Sequence, residues 1–229
     1  MNTDKIIIAL GMDEVAAKRC VEKCLPLVKR FKVGLQLFSE TGPDFIKELK
    51  DLGAKVFLDL KFHDIPQTVR NATKVVSKLG AFMLTVHTAG GEEMMKAAVE
   101  GRDEAGVSTK IVGVTLLTSL DNKSLKKLGV DKGVDNFVVD LAMSAKNCGL
   151  DGVVASVAEV SKIKDKCSKK FMVVTPGIRL ASDSRDDQAR VATPEAALKA
   201  GSDFLVIGRS ITHSKDPLSV IKQIVGQRC

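Results

Sequence analysis

The sequence predicts a single (β/α)8 barrel over residues 1–229, and three observations predict it. Apolar, β-rich runs recur eight times, at 6–10, 31–38, 55–61, 82–87, 110–117, 150–156, 172–178 and 204–210. Segments of helical periodicity separate them, and strands that alternate with helices pair in parallel. Eight such units within 229 residues match a compact closed barrel. The rival arrangement, a doubly wound open sheet, calls for a glycine-rich phosphate loop after the first strand. Leu10-Gly11-Met12-Asp13 supplies none.

The elements follow in order. Ile6-Ile7-Ile8-Ala9-Leu10 is the first strand, and Glu14 to Val28 follows as a helix with Val15, Cys20, Val21, Cys24, Leu25 and Val28 on one apolar stripe. Phe31-Lys32-Val33-Gly34 opens the second strand. The third carries Val56, Leu58, Leu60 and Phe62 with Asp59 and Lys61 between them. Val69 to Leu79 and Val134 to Cys148 carry further helical patterns, and Gly80 and Gly201 close helices ahead of strands. Two connections are long and polar, Thr118 to Gly133 after the fifth strand and Leu180 to Val191 after the seventh. In a barrel the loops after the strands form the active-site face, and those after strands seven and eight often hold phosphate. The 180–191 connection, with Ser182-Asp183-Ser184-Arg185-Asp186-Asp187-Gln188, is a candidate lid.

Composition narrows the function classes. Hydrophobic residues make up 45% of the chain, enough for a sizeable core, and no apolar run reaches the roughly 18 residues of a membrane span. Met1-Asn2-Thr3-Asp4-Lys5 leads straight into the first strand without the features of a signal peptide, so a cytoplasmic protein is expected. The five cysteines (Cys20, Cys24, Cys148, Cys167, Cys229) lack zinc-knuckle spacing and read as reduced thiols. His63, His87 and His213 are too scattered to argue for a metal. The net charge is +7, from 35 basic and 28 acidic residues. A nucleic-acid binder would concentrate that charge and add stacking aromatics, and this chain has no Trp and no Tyr. A solvated basic surface fits better, and it suits an enzyme that draws in an anionic substrate.

The third strand carries the strongest chemical signal. Strand side chains alternate, so Asp59 and Lys61 share a face, and Asp64 follows just past the strand end. A turn there can bring Asp64, or its copy in a second subunit, near the same spot. Carboxylates around one ammonium at a strand terminus point to an electrostatic device for catalysis, against the plainer reading of a structural ion pair. Lys32, inside an apolar strand, needs a partner, and Asp59 is a natural one; a closed barrel has no free edge from which Lys32 could point to solvent. Thr175-Pro176-Gly177-Ile178-Arg179 ends the seventh strand and Gly208-Arg209-Ser210 the eighth. Glycine lets a backbone approach closely, the guanidinium fork suits phosphate, and a following helix N-terminus adds backbone N–H groups. Together they signal a phosphomonoester site. Thr118 and Ser119 are candidates to hydrogen-bond a polar ring or form a simple turn, and His87 is equally a packed or a catalytic histidine.

From Ile6 to Ile224 the chain closely resembles the orotidine 5′-phosphate decarboxylase family. The resemblance rests on Phe-Lys-Val-Gly at 31–34, Phe-Leu-Asp-Leu-Lys-Phe-His-Asp-Ile-Pro at 57–66, Val-His-Thr-Ala-Gly-Gly at 86–91, Thr-Pro-Gly-Ile-Arg at 175–179, Asp-Asp-Gln at 186–188 and Ile-Gly-Arg at 207–209. Relatives on the same barrel that act on keto-gulonate phosphate or make hexulose phosphate differ after the lysine and lack the His-Asp-Ile-Pro ending. The resemblance implies a cofactor-free, metal-free decarboxylase working as a homodimer. Its charged array would be Lys32, Asp59, Lys61 and Asp64, with Asp64 and Thr68 reaching into the neighbouring site. Thr118 would lie near the pyrimidine, Pro176 would contact substrate, and Arg179, Gln188, Gly208 and Arg209 would hold the phosphate. One departure stands out. The family usually has Ala-Leu-Asp at the end of the first strand, with the Asp on the ribose; here the sequence is Ala9-Leu10-Gly11. Asp13 either replaces that ligand through a shifted loop or caps the helix that follows.

Two other readings differ in class. A metal-dependent phosphosugar lyase or decarboxylase on the same barrel predicts loss of activity with a chelator. A basic, non-enzymatic binding module predicts salt-sensitive nucleic-acid binding and indifference to Lys61.

Overall fold

Strand and helix alternate throughout the computed structural model, which describes residues 2–180 and 192–226. The order is β1 (Ile6–Leu10), α1 (Glu14–Cys24), β2 (Arg30–Gly34), α2 (Leu35–Asp51), β3 (Lys55–Phe62), α3 (Pro66–Lys78), β4 (Met83–His87) and α4 (Glu92–Ala105). It continues with β5 (Lys110–Val114), α5 (Asn122–Lys127), α6 (Val134–Asn147), β6 (Gly152–Val154), α7 (Val157–Cys167) and β7 (Met172–Thr175). The last elements are α8 (Pro194–Ala200), β8 (Phe204–Ile207), α9 (Arg209–Thr212) and α10 (Pro217–Val225). Each strand pairs in parallel with the next, and β8 closes onto β1 with Leu205 opposite Ile6 and Ile207 opposite Ile8. This is the (β/α)8 barrel that the sequence predicts.

Alternation along the strands divides the apolar residues into two layers. Ile7, Phe57, Met83, Val112, Val174 and Val206 pack together in one cluster, one residue from each of six strands. Their chain neighbours Ile6, Ile8, Leu58, Leu84, Ile111, Val173, Leu205 and Ile207 belong to the larger cluster shared with the helices. The first set therefore fills the barrel interior and the second cements the helical ring. Burial of each large aliphatic side chain contributes about 1.5–3 kcal/mol. At the N-terminal pole the Arg30 guanidinium lies 5.3 Å from the Phe82 ring centre and 5.4 Å from that of Phe204, and pairs with Asp4 at 2.9 Å. Those side chains cover the N-terminal mouth of the barrel.

The helices start where short polar side chains accept first-turn N–H groups: Asp13, Asp121, Ser156, Thr193 and Asp216 for α1, α5, α7, α8 and α10. α3 begins instead on Pro66, whose missing N–H costs nothing in the first turn.

Several boundaries differ from the sequence expectation. The predicted strand 31–38 stops at Gly34, and Leu35 to Phe38 open α2, where Leu37 is buried at helical spacing with Phe45, Ile46 and Leu49. A short apolar run reads the same in either state. α2 itself breaks at Gly42 (φ +66°) ahead of Pro43. The last five predicted strands also end or begin inside their apolar runs. On α1 the buried face is Ala17, Val21 and Cys24, so Val15, expected on the apolar stripe, is 59% exposed. Among the described residues no helix is long and apolar enough to cross a membrane.

Candidate active site

A cavity of about 530 Å3 opens at the C-terminal ends of the strands. Its lining includes Lys32 from β2, Asp59 and Lys61 from β3, Thr118 after β5, Pro176 and Arg179 after β7, and Gly208 and Arg209 after β8. Residues from five distant parts of the chain, each singled out from the sequence, thus share one wall. The inward face of the strands explains this. Lys32 pairs in register with Phe57 of the apolar plug and Asp59 follows two residues on, so both share the inward face and reach the cavity.

Lys32 Nζ lies 3.0 Å from Asp59 Oδ2, and Lys61 Nζ lies 2.8 Å from Asp59 Oδ1. One carboxylate therefore bridges two ammonium groups, one on each oxygen. The Asp59 side chain is 13% exposed and that of Lys61 is 32% exposed, so the ammonium aimed at the cavity is the wetter member. Burial pushes the Asp59 carboxyl up. The charges and hydrogen bonds of Lys32 and Lys61 outweigh that push and hold it below its ordinary value.

Lys61 does not continue the regular strand. Its φ is +51°, in the left-handed region that a residue with a Cβ occupies at a cost of about 1–2 kcal/mol. Between Leu58 and Phe62 the pairing of β3 with β4 loses register. The Lys61 N–H donates to Thr85 Oγ1 at 2.8 Å, and Thr85 Oγ1 lies 3.1 Å from Asp59 Oδ1. Thr85 is fully buried on β4. The sequence reading passed over it. Its signal was faint: a hydroxyl in the otherwise apolar run Met83-Leu84-Thr85-Val86, two residues before His87.

Other expected residues lie apart from this wall. Asp64 and Thr68 are exposed, and neither lines the cavity of its own chain; the Asp64 carboxylate accepts the Ile65 N–H at 2.7 Å. The exposed run continues through Ile65, which is 67% exposed. Asp13 caps α1, its Oδ1 accepting the Ala16 N–H at 2.9 Å, and it is absent from the cavity lining. Gly11 does line the cavity, and a Cβ built there meets nothing within 4 Å. Gln188 and the candidate lid around it lie outside the described residues, as does Cys229. Ile178 and Ala192 form a bridge, with Arg179 N–H donating to Ala192 O at 3.0 Å. His87 stacks on His63 at 5.2 Å between ring centres, and its Nδ1 accepts the Ala89 N–H; burial, with His63 and Lys61 nearby, lowers its pKa. Cys20, Cys24, Cys148 and Cys167 are free thiols. Among the described residues no group of three or more His, Cys, Asp or Glu side chains is placed to hold a metal ion.

The fold and this wall define a class: a (β/α)8-barrel protein with a charged cavity at the C-terminal ends of its strands. The family model for orotidine 5′-phosphate decarboxylase / HUMPS matches residues 4–224. A Nitrosomonas eutropha protein named orotidine 5′-phosphate decarboxylase is 46% identical over 224 residues, covering 97% of this chain and 96% of that one. A Coxiella burnetii protein of the same name is 44% identical over 223 residues, covering 96% and 94%. The crystal structure of orotidine 5′-phosphate decarboxylase from Lactobacillus acidophilus superposes with a TM-score of 0.86 at 37% identity, covering 97% of this chain and 98% of that one. This chain belongs to the orotidine 5′-phosphate decarboxylase / HUMPS family.

Proposed function

We propose that this protein decarboxylates orotidine 5′-phosphate to UMP and CO2 without a cofactor, as a cytoplasmic homodimer whose whole chain is one catalytic domain. The observation that carries the reading is the Lys32–Asp59–Lys61 array on the cavity wall. Relatives that bear the decarboxylase name at 44–46% identity across nearly the whole chain support the substrate.

The chemistry follows from charge placement. The bond between the ring carbon and the substrate carboxylate breaks, CO2 leaves, and the electron pair stays on the carbon. The Lys61 ammonium stabilises that developing negative charge and then gives the carbon a proton; the neutral amine regains a proton from water. Asp59 holds the ammonium, and Lys32 holds Asp59 in its charged form. Asp64 of a second subunit completes the array, with Thr68 beside it, which accounts for an exposed carboxylate outside its own cavity. Thr118 faces the pyrimidine and Pro176 packs on the substrate. Arg179, Gly208 and Arg209, with Gln188, take the phosphate, where β8 runs into the short helix α9. The phosphate is remote from the reacting carbon, so its binding energy serves orientation and the exclusion of water.

Incubating the purified protein with orotidine 5′-phosphate and quantifying UMP and CO2 tests the reading. Equimolar products support it. Unchanged substrate with a folded protein rejects it.

A further inference from the structure

Thr85 Oγ1 stands between two residues of the charged array. It accepts the Lys61 N–H at 2.8 Å and donates to Asp59 Oδ1 at 3.1 Å. The same Asp59 oxygen receives Lys61 Nζ at 2.8 Å. One hydroxyl, one carboxylate and both ends of one lysine thus close a ring. The ring sits where β3 is irregular: Leu58 pairs with Leu84 and Phe62 with Val86, so four steps along β3 face two along β4. Thr85 lies inside that interval and takes the N–H of the one residue there with a left-handed backbone.

The hydroxyl satisfies a backbone N–H that the irregular β3–β4 ladder leaves unpaired, a structural role, and it also reaches the Asp59 carboxylate, which that role does not require. A valine at 85 would match threonine in volume and in preference for strand while removing both hydrogen bonds, so it isolates the hydroxyl. Both hydrogen-bond partners described here belong to the array. Thr85 does not line the cavity, so its influence runs through Lys61 and Asp59.

We infer that Thr85 is a positioning residue for the decarboxylation: its hydroxyl fixes the left-handed backbone of Lys61 and orients the Asp59 carboxylate, which aims the ammonium at the reacting carbon. The inference rests on the role proposed for Lys61. Misplacing a reacting group by about 1 Å costs on the order of 100-fold in rate.

The test compares Thr85→Val, Thr85→Cys and Thr85→Ser with the parent, reading kcat, KM, melting temperature and the pH profile. Thr85→Val should lower kcat about 10- to 100-fold with KM within about threefold. Thr85→Cys, similar in size but a weak hydrogen-bonding group, should fall likewise and serves if the valine variant does not fold. Thr85→Ser should keep kcat within about threefold of the parent. Without the donated hydrogen bond, the acid limb of the kcat profile should move to higher pH, because a carboxylate that loses a donor protonates more easily. Parental kcat in a folded Thr85→Val protein overturns the inference. So does a loss confined to KM, or one that Thr85→Ser does not restore. Lys61→Ala, measured alongside, separates the two readings. If it is inactive while Thr85→Val is normal, only the Thr85 inference fails; if it retains parental kcat, the role of Lys61 fails first.

Discussion

Asp59 and Lys61 lie two residues apart on one strand and close an ion pair at 2.8 Å across a lysine whose backbone is left-handed. Strand alternation alone puts the two side chains on one face. The irregular backbone then fixes how the ammonium leaves the strand. Lys32 lies on the other Asp59 oxygen at 3.0 Å, so each oxygen of the carboxylate holds one ammonium group at the cavity wall.

Lys61→Ala should lower kcat by at least about 10^4-fold, because the variant lacks both the charge and the proton that the reaction uses. The melting temperature should stay near that of the parent. Asp64→Ala should be similarly impaired if the partner's carboxylate completes the site. Mixing the two inactive variants under conditions that exchange subunits should restore about a quarter of parental activity, since half of the dimers are mixed and each holds one intact site. No recovery on mixing, with exchange verified, would refute the shared site.

Arg209→Ala should reduce kcat/KM for the phosphorylated substrate about 10- to 100-fold, the loss of a charge-assisted contact. For the nucleoside without its phosphate the same variant should match the parent. Equal losses on both substrates would reject the phosphate assignment.

Gly11→Asp should fold as the parent does, because a Cβ at that position meets nothing within 4 Å. By resemblance to the family, the new carboxylate should reach the ribose and lower KM about tenfold, as a charged hydrogen bond to substrate would. An unchanged KM would mean that the ribose is held elsewhere in this chain.

Asp59→Asn should destabilise the fold by about 2 kcal/mol near neutral pH, since two ammonium groups then share a partly buried site without a counter-charge. The pH dependence has a definite sign. The folded carboxyl is held below 3.8, so the unfolded chain binds more protons as the pH drops, and the Asp59 contribution disappears as the pH falls through the folded value. The stability gap between parent and variant should therefore be constant from about pH 7 to about pH 5 and narrow only in stronger acid. A gap that narrows already near pH 6 would contradict this placement of the pKa.

The barrel was legible because its signal is repetitive: eight apolar runs separated by helical spacing leave few other ways to bury them. Strand ends were less legible, since Leu35 to Phe38 is an apolar run that packs equally well as the start of a helix. The wall of the site was legible by residue type and position, because Lys32, Asp59 and Lys61 are charges inside apolar strands and Arg179 and Arg209 follow strand ends. Three things were not legible. The register break at Lys61 carries no glycine or asparagine to mark a left-handed residue. Thr85 looks like an ordinary strand threonine until its hydroxyl is seen between Lys61 and Asp59. Asp13 offered two readings of equal weight in sequence, and its carboxylate is found on the Ala16 N–H.

In the proposed mechanism preorganised charge, with Lys61 at its centre, decarboxylates orotidine 5′-phosphate without help from a metal. The most direct measurement is the ultraviolet absorbance of that substrate during incubation with purified protein in EDTA. Rapid loss of the substrate band with UMP formed, at a rate equal to that without chelator, is the expected result. Absence of turnover by the folded protein, or turnover that EDTA abolishes and added divalent cation restores, would contradict it.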